Sequence, residues 1–193
     1  MTNFSSFSVF LQILINGILF GSMYGIAAIG LSLIFGSMQI IFIAQGAVMI
    51  LGAYFTYWVF TLTTIDPFFC LLLSLPLFLG LGWIFYTGLF RKVAKVGKNP
   101  SLLLAFGLMV LLENLMSLAW SPNPRAINTS YTAMGLSVGS IQISFTRLMV
   151  FIISVMATGL VFLFMKNTLW GQAVRGASED MGAAALLGIS HYR

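Results

Sequence analysis

Residues 9–35 read VFLQILINGILFGSMYGIAAIGLSLIF, without a single Asp, Glu, Lys or Arg. A helix on the surface of a soluble protein usually carries charges on its outer face, and no face of this stretch has any. A hydrocarbon layer ~30 Å thick is crossed by roughly 17–25 apolar residues in a helix. The stretch therefore reads as a membrane span with residues to spare, and its glycines leave it free to tilt, kink or break. The pattern continues outward: the first charged residue of any kind is Asp66, and two further uncharged runs cover Pro67–Phe90 and Leu148–Met165.

The whole chain of 193 residues follows suit, with 60% apolar and 7% charged residues and a mean hydropathy of +1.03. Soluble domains carry about 25% charged residues, so soluble enzymes and disordered linkers are excluded. The expected fold class is all-α: a polytopic transmembrane helix bundle, with room for one broken or re-entrant helix. Five spans are placed at 9–35, 41–62, 68–90, 101–120 and 146–165, in a single transmembrane domain over residues 1–193 with a cytoplasmic loop at 167–193.

The inventory of reactive residues is short. Cys70 is the one cysteine and His191 the one histidine, too few for an internal disulfide, a zinc or di-iron cluster, or an intramembrane Ser–His dyad. No G-x-x-x-x-G-K-[ST] loop occurs, so no nucleotide site of that kind is present. The chain reads as a non-enzyme that binds no cofactor or metal itself. The net charge of +5 reflects topology rather than nucleic-acid binding, because the basic residues cluster between apolar runs. Residues Met1 to Ser8 lack the basic region of a cleaved signal peptide, so the first apolar segment is expected to remain as a helix.

Arg91-Lys92-Val93-Ala94-Lys95-Val96-Gly97-Lys98 holds four basic residues in eight, and the positive-inside rule assigns it to the cytoplasm. Alternation then puts the N-terminus, Asp66 and Ser121–Ser144 outside and the stretch after Lys166 inside. Arg125 falls outside against the trend. The external segment is rich in Pro, Asn and Gly, which marks a loop, and the alternation over Leu136–Ile143 suggests a short hairpin.

Three groups inside the spans carry a structural and a functional reading. Gly17, Gly21 and Gly25 share one helix face; small residues so spaced form packing seams between membrane helices, or the face abuts a partner or the permeation path. Gln45 and Gly46, following Gly36 and Gln39, suggest a break near the cytoplasmic face. Irregular backbone at that depth survives only under cover of protein or a water-filled cavity, so Gln45 either lines a cavity or sits in an interfacial turn. Glu113, beside Asn114, is an acid within the fourth span. Such groups usually face the bundle interior, as hydrogen-bonding glue between helices or as part of a pathway.

The C-terminal stretch reads as a short capped helix on the cytoplasmic side. Ser178 is the expected N-cap, Glu179 and Asp180 suit the positive end of the helix dipole, and Gly188 provides the stop. A helix this short is marginal alone in water and is expected to dock on another element.

Three stretches together resemble the branched-chain amino acid ABC transporter permease family of the LivH/LivM type. They are Asn16 through Leu31, Ile40 through Gly46 with Leu51-Gly52-Ala53-Tyr54, and Arg175 through Ile189 with Glu179, Asp180, Ala183, Ala184, Leu186, Leu187, Gly188 and Ile189 in register. The resemblance implies a permease subunit of an ABC importer in the inner (plasma) membrane of a bacterium or archaeon. It implies transport of branched-chain or related amino acids, urea or short amides, and family members continue past the last stretch, so the chain is expected to be partial. It also implies as partners a second permease subunit, two cytoplasmic ATPase subunits that use ATP, and a periplasmic or extracellular solute-binding protein. In that scheme Arg175, Ser178, Glu179, Asp180, Ala183, Ala184, Leu187 and Gly188 couple the permease to the ATPases. The pathway candidates are Gln45, Gly46, Glu113 and Asn114, and the packing candidates Gly17, Gly21 and Gly25. The family's Asn-Phe-Ala-His-Gly stands here as Phe42-Ile43-Ala44-Gln45-Gly46, a departure that leaves the substrate open. The rival readings are a stand-alone secondary transporter and a non-transporting membrane assembly protein.

Overall fold

A computed structural model describes residues 2–38, 40–94, 98–121, 123–129, 131–132, 134–138 and 141–179. Among them, helices α1 (Thr2–Met38), α2 (Gln45–Thr63), α3 (Pro67–Phe85), α4 (Arg91–Val93), α5 (Lys98–Trp120), α6 (Phe145–Asn167) and α7 (Leu169–Glu179) follow one another. A π-helical turn, Tyr86–Phe90, joins α3 to α4, and a two-stranded hairpin, β1 (Gly135–Val138) and β2 (Ile141–Ser144), precedes α6. Five stretches are long and apolar enough to cross a membrane: Phe7–Met38, Gln45–Thr63, Pro67–Val93, Asn99–Trp120 and Phe145–Asn167. The expected all-α polytopic bundle is what the chain forms, with each span within a few residues of its expected limits.

Local chemistry sets the ends. Asp66 caps α3, its carboxylate Oδ1 accepting from the Phe68 amide at 3.0 Å, and Pro67 occupies the first turn, where its missing N–H costs nothing. α2 stops at Thr64 with φ 55°, and α5 is followed by Ser121 with φ 64°. Both use the left-handed stop that usually falls to glycine. The α1 helix runs unbroken through its glycines; at ~1.5 Å per residue it exceeds the hydrocarbon thickness by a wide margin. The break falls instead after Met38, in the non-helical residues 40–44. The π-helical turn has no counterpart in the sequence reading. The hairpin pairs Gly135 with Ser144 and Val138 with Ile141 in antiparallel register, as its alternation suggested.

Internal contacts divide the described chain into two units. One comprises the residues up to Gly36 and those from Asn128 onward; the other is Ser37–Ile127. The second unit holds the main apolar core. Ile40, Ala44, Ala47, Phe90, Ala105, Leu108, Leu112 and Met116 are buried together. On α5 the buried positions Ser101, Ala105, Leu108, Leu112 and Met116 recur every three or four residues, so a single stripe faces the core. Ala44, Ala47, Ser101 and Ala105 are fully buried, and their small side chains permit the close backbone approach that drives association of helices in lipid. This is the chain's own small-residue seam. Gly17, Gly21 and Gly25 do not pack in this way: a Cβ built at any of them meets nothing within 4 Å.

Candidate functional site

The expected site residues fall in three separate places. Gln45 and Gly46 open α2 directly after the non-helical bend. The bend is held by buried Ile40 and Ala44 and by Phe42, whose ring meets Phe90 edge-on with centroids 5.7 Å apart. Gln45 is half-buried and Gly46 exposed, and a Cβ at Gly46 would find open space. The irregular backbone is thus covered by protein on the side of the π-helical turn, as membrane depth requires.

Glu113 and Asn114 lie on α5, both exposed, outside the buried stripe of Leu108, Leu112 and Met116. Asn114 satisfies itself by donating Nδ2 to the Val110 carbonyl at 2.7 Å, one turn back. Glu113 forms no ion pair or hydrogen bond among the described residues. It lies between the buried Leu112 and Met116 but on an exposed face of the helix.

The C-terminal group differs from the sequence reading. Ser178 is not an N-cap: it lies in the last turn of α7, with its hydroxyl donating to the Arg175 carbonyl at 2.7 Å. The cap is Thr168, ten residues earlier, in extended conformation (φ −104°, ψ 149°); its Oγ1 accepts from the Gly171 amide at 3.0 Å. A Ser/Thr three residues before a free amide is the signature, and two candidates compete in this stretch. Thr168 wins because α6 has just ended there. Gly171 is buried, and a Cβ on it would run into the Met165 backbone, with the carbonyl carbon at 2.7 Å. The tight turn from α6 into α7 thus needs glycine. Arg175 reaches back to the Lys166 carbonyl at 3.5 Å. Glu179 is the last residue of α7; Asp180, Ala183, Ala184, Leu187 and Gly188 lie outside the described residues.

Two arginines missed by sequence reasoning as structured groups stand at helix ends. Arg125 folds back on the end of α5, donating Nη2 to the Trp120 carbonyl at 2.7 Å. Its guanidinium lies 5.3 Å from the Tyr57 ring centroid and 5.8 Å from that of Trp58. With Tyr54 and Trp120 these rings form an aromatic group at one end of the second unit, of the kind that sits at membrane–water interfaces. Arg147, in the first turn of α6, donates Nη1 to Asn16 Oδ1 at 2.9 Å and stands 4.6 Å over the Phe20 ring. Cation–π contact and directed hydrogen bonds account for two cations outside the basic loop.

Comparison with known proteins gives one consistent answer. The chain is 26% identical over 200 residues to the high-affinity branched-chain amino acid transport system permease protein LivH of Salmonella typhimurium, covering 97% of this chain and 65% of that protein. It is 26% identical to LivH of Escherichia coli K12 with the same coverage, and 27% identical over 197 residues to the corresponding permease protein BraD of Pseudomonas aeruginosa, covering 94% and 63%. The chain therefore spans just under two thirds of the length of these relatives. No solved structure matches it. The profile of the branched-chain amino acid transport system permease component matches residues 13–193. With five apolar spans in place, this multi-pass membrane chain belongs to the family of branched-chain amino acid transport system permease components.

Proposed function

We propose that the chain acts as a permease subunit of an ABC importer for branched-chain or related amino acids in the plasma membrane of a bacterium or archaeon. The observation that carries this reading is the family match over residues 13–193. In this reading ATP is bound by separate cytoplasmic subunits. A second permease subunit completes the pathway, and an external solute-binding protein delivers the ligand. Closure of the ATPases moves the cytoplasmic segment that begins with α7, and the bundle reorients by alternating access. The transport step needs no bond-making chemistry from this chain.

Topology follows from the distribution of charge. Arg91 and Lys92 sit beside Phe90, which packs on the bend before α2, whereas Trp120 and Arg125 lie at the far end of α5. The positive-inside rule assigns the first end to the cytoplasm.

Purification in mild detergent followed by reconstitution with ATPase subunits and a binding protein tests the reading. Uptake of radiolabelled leucine that requires ATP inside the vesicle is the expected result. Uptake of urea but not leucine would move the substrate to the amide class, in line with the Gln45 departure. Uptake driven by an ion gradient without any ATPase would establish a secondary carrier instead.

A further inference from the structure

In the first unit, α1 is tied near its start by contacts that no apolar packing rule supplies, and its last turn approaches α7. At one end, the Gln12 side-chain amide pairs with both backbone groups of Gln142: Nε2 donates to the Gln142 carbonyl at 2.7 Å, and the Gln142 amide donates to Oε1 at 3.0 Å. A side chain thus takes the place that the peptide of a third strand would take beside β2. One turn further along α1, Asn16 accepts from Arg147 of α6, and one turn beyond that Phe20 lies under the same guanidinium. Gln12, Asn16 and Phe20 follow at steps of four, so one stripe of α1 carries all three, with buried Leu19 beside them. At the far end, Gly36 in the last turn of α1 comes so close to α7 that a Cβ there would sit 3.4 Å from Ser178 Cβ.

We infer that Gln12, Asn16 and Arg147 are positioning residues for transport, which lock α1 to the hairpin and α6 so that a displacement of α7 is delivered to the hairpin. The inference rests on the importer reading above. Helices in lipid that touch only through Leu and Ile can slide, because every register offers similar dispersion contacts. Directed hydrogen bonds fix one register. Opening them leaves a guanidinium and two amides without the partners that the protein holds in place for them. The clasp therefore stays closed while the helices move as a body. The glycine stripe Gly17, Gly21, Gly25 lies on roughly the opposite side of α1, so the clasp does not occupy it.

The test uses the whole complex reconstituted with ATPase subunits and binding protein, read as leucine uptake and as ATP hydrolysis with and without leucine-loaded binding protein. Asn16→Leu and Gln12→Leu are expected to leave basal hydrolysis within about twofold of wild type while uptake and its stimulation fall at least tenfold. Asn16→Asp, which keeps an acceptor for Arg147, is expected to restore them. A second measurement runs in the opposite direction: Gln12→Cys with Gln142→Cys, in a Cys70→Ser background, lacks the clasp and is rejoined by a short bis-methanethiosulfonate reagent. Transport that rises on linking and falls again on reduction supports a clasp that stays closed. Transport lowered by linking and recovered on reduction overturns the inference, as does wild-type stimulation in both leucine variants. A wild-type complex that does not respond to loaded binding protein overturns the importer reading, and this inference with it.

Discussion

Tyr54 and Trp120 stack face to face, with ring centroids 4.9 Å apart and planes inclined by 17°. Tyr54 is the middle residue of α2 and Trp120 closes α5, so the pair fastens the end of α5 to α2, while Ala44, Ala47 and Ala105 join the two helices in the core. The Tyr54 hydroxyl adds a long hydrogen bond to the Ser121 carbonyl, at 3.4 Å. Stacked aromatic pairs contribute ~0.5–1.5 kcal/mol beyond their area. Trp120→Ala is expected to lower the thermal midpoint of the detergent-solubilised chain, and Tyr54→Phe to leave it nearly unchanged. A double-mutant cycle of Tyr54→Ala with Trp120→Ala measures the coupling; strict additivity would show that the stack contributes nothing.

The two glycine environments predict opposite responses. Gly171→Ala places a methyl group against the Met165 backbone, which cannot yield without opening the α6–α7 turn. It is expected to destabilise the chain by more than ~1 kcal/mol, the lower end of the overpacking range. Gly17→Ala and Gly21→Ala meet open space and replace the poorest non-proline helix former with the best. They are expected to be neutral or stabilising in the isolated chain. A loss of thermal stability on Gly21→Ala comparable to that of Gly171→Ala would refute the assignment.

Glu113 gives a third outcome. Its face of α5 lies outside the second unit's buried stripe, and a carboxyl at that depth is costly when left facing lipid. If it serves as hydrogen-bonding glue, Glu113→Gln should leave both the recovery of assembled complex and transport close to wild type, because an amide keeps acceptor and donor capacity. Glu113→Leu should lower recovery. Transport lost in Glu113→Gln at normal recovery would assign the residue a charge-dependent role instead.

The spans were legible because lipid imposes a one-dimensional rule: uninterrupted apolar length. The alternation over Leu136–Ile143 was an equally local signal and gave the hairpin it announced, whereas the Asp66 cap on α3, just as local, went unread. What the sequence did not reveal depends on which face meets which. The Gly17–Gly21–Gly25 spacing looks like a seam, yet the buried small residues are Ala44, Ala47, Ser101 and Ala105, which are separated by more than one helix in sequence. The Gln12–Gln142 and Asn16–Arg147 pairs span about 130 positions, beyond the reach of any local pattern. Ser178 has the composition of a cap, but Thr168, ten residues earlier, is where the preceding helix stops.

Thr64 carries a β-branched side chain at φ 55°, a conformation in which L residues other than glycine lose ~1–2 kcal/mol. Asparagine tolerates this region far better. Thr64→Asn is therefore expected to raise the stability of the detergent-solubilised chain by part of that cost, up to about 1 kcal/mol. The Thr64 hydroxyl bonds only to the neighbouring Thr63 carbonyl, so little else is removed. An unchanged or lowered thermal midpoint would show that the αL stop is not strained.

The last prediction concerns orientation. Lys92 and Asn123 are both exposed and flank α5, whose 23 residues span ~34 Å at ~1.5 Å per residue, enough to separate them across a hydrocarbon layer. Cys70 is buried, so a Cys70→Ser background gives a silent starting point. With the basic end in the cytoplasm, Lys92→Cys should resist an impermeant thiol reagent applied to intact cells and react once the membrane is opened. Asn123→Cys should react in intact cells. The two substitutions lie outside the core that holds α2 to α5, so both chains should insert at normal levels. Labelling of Lys92→Cys from outside, with Asn123→Cys protected, would invert the topology. The aromatic group around Arg125 would then face the cytoplasm.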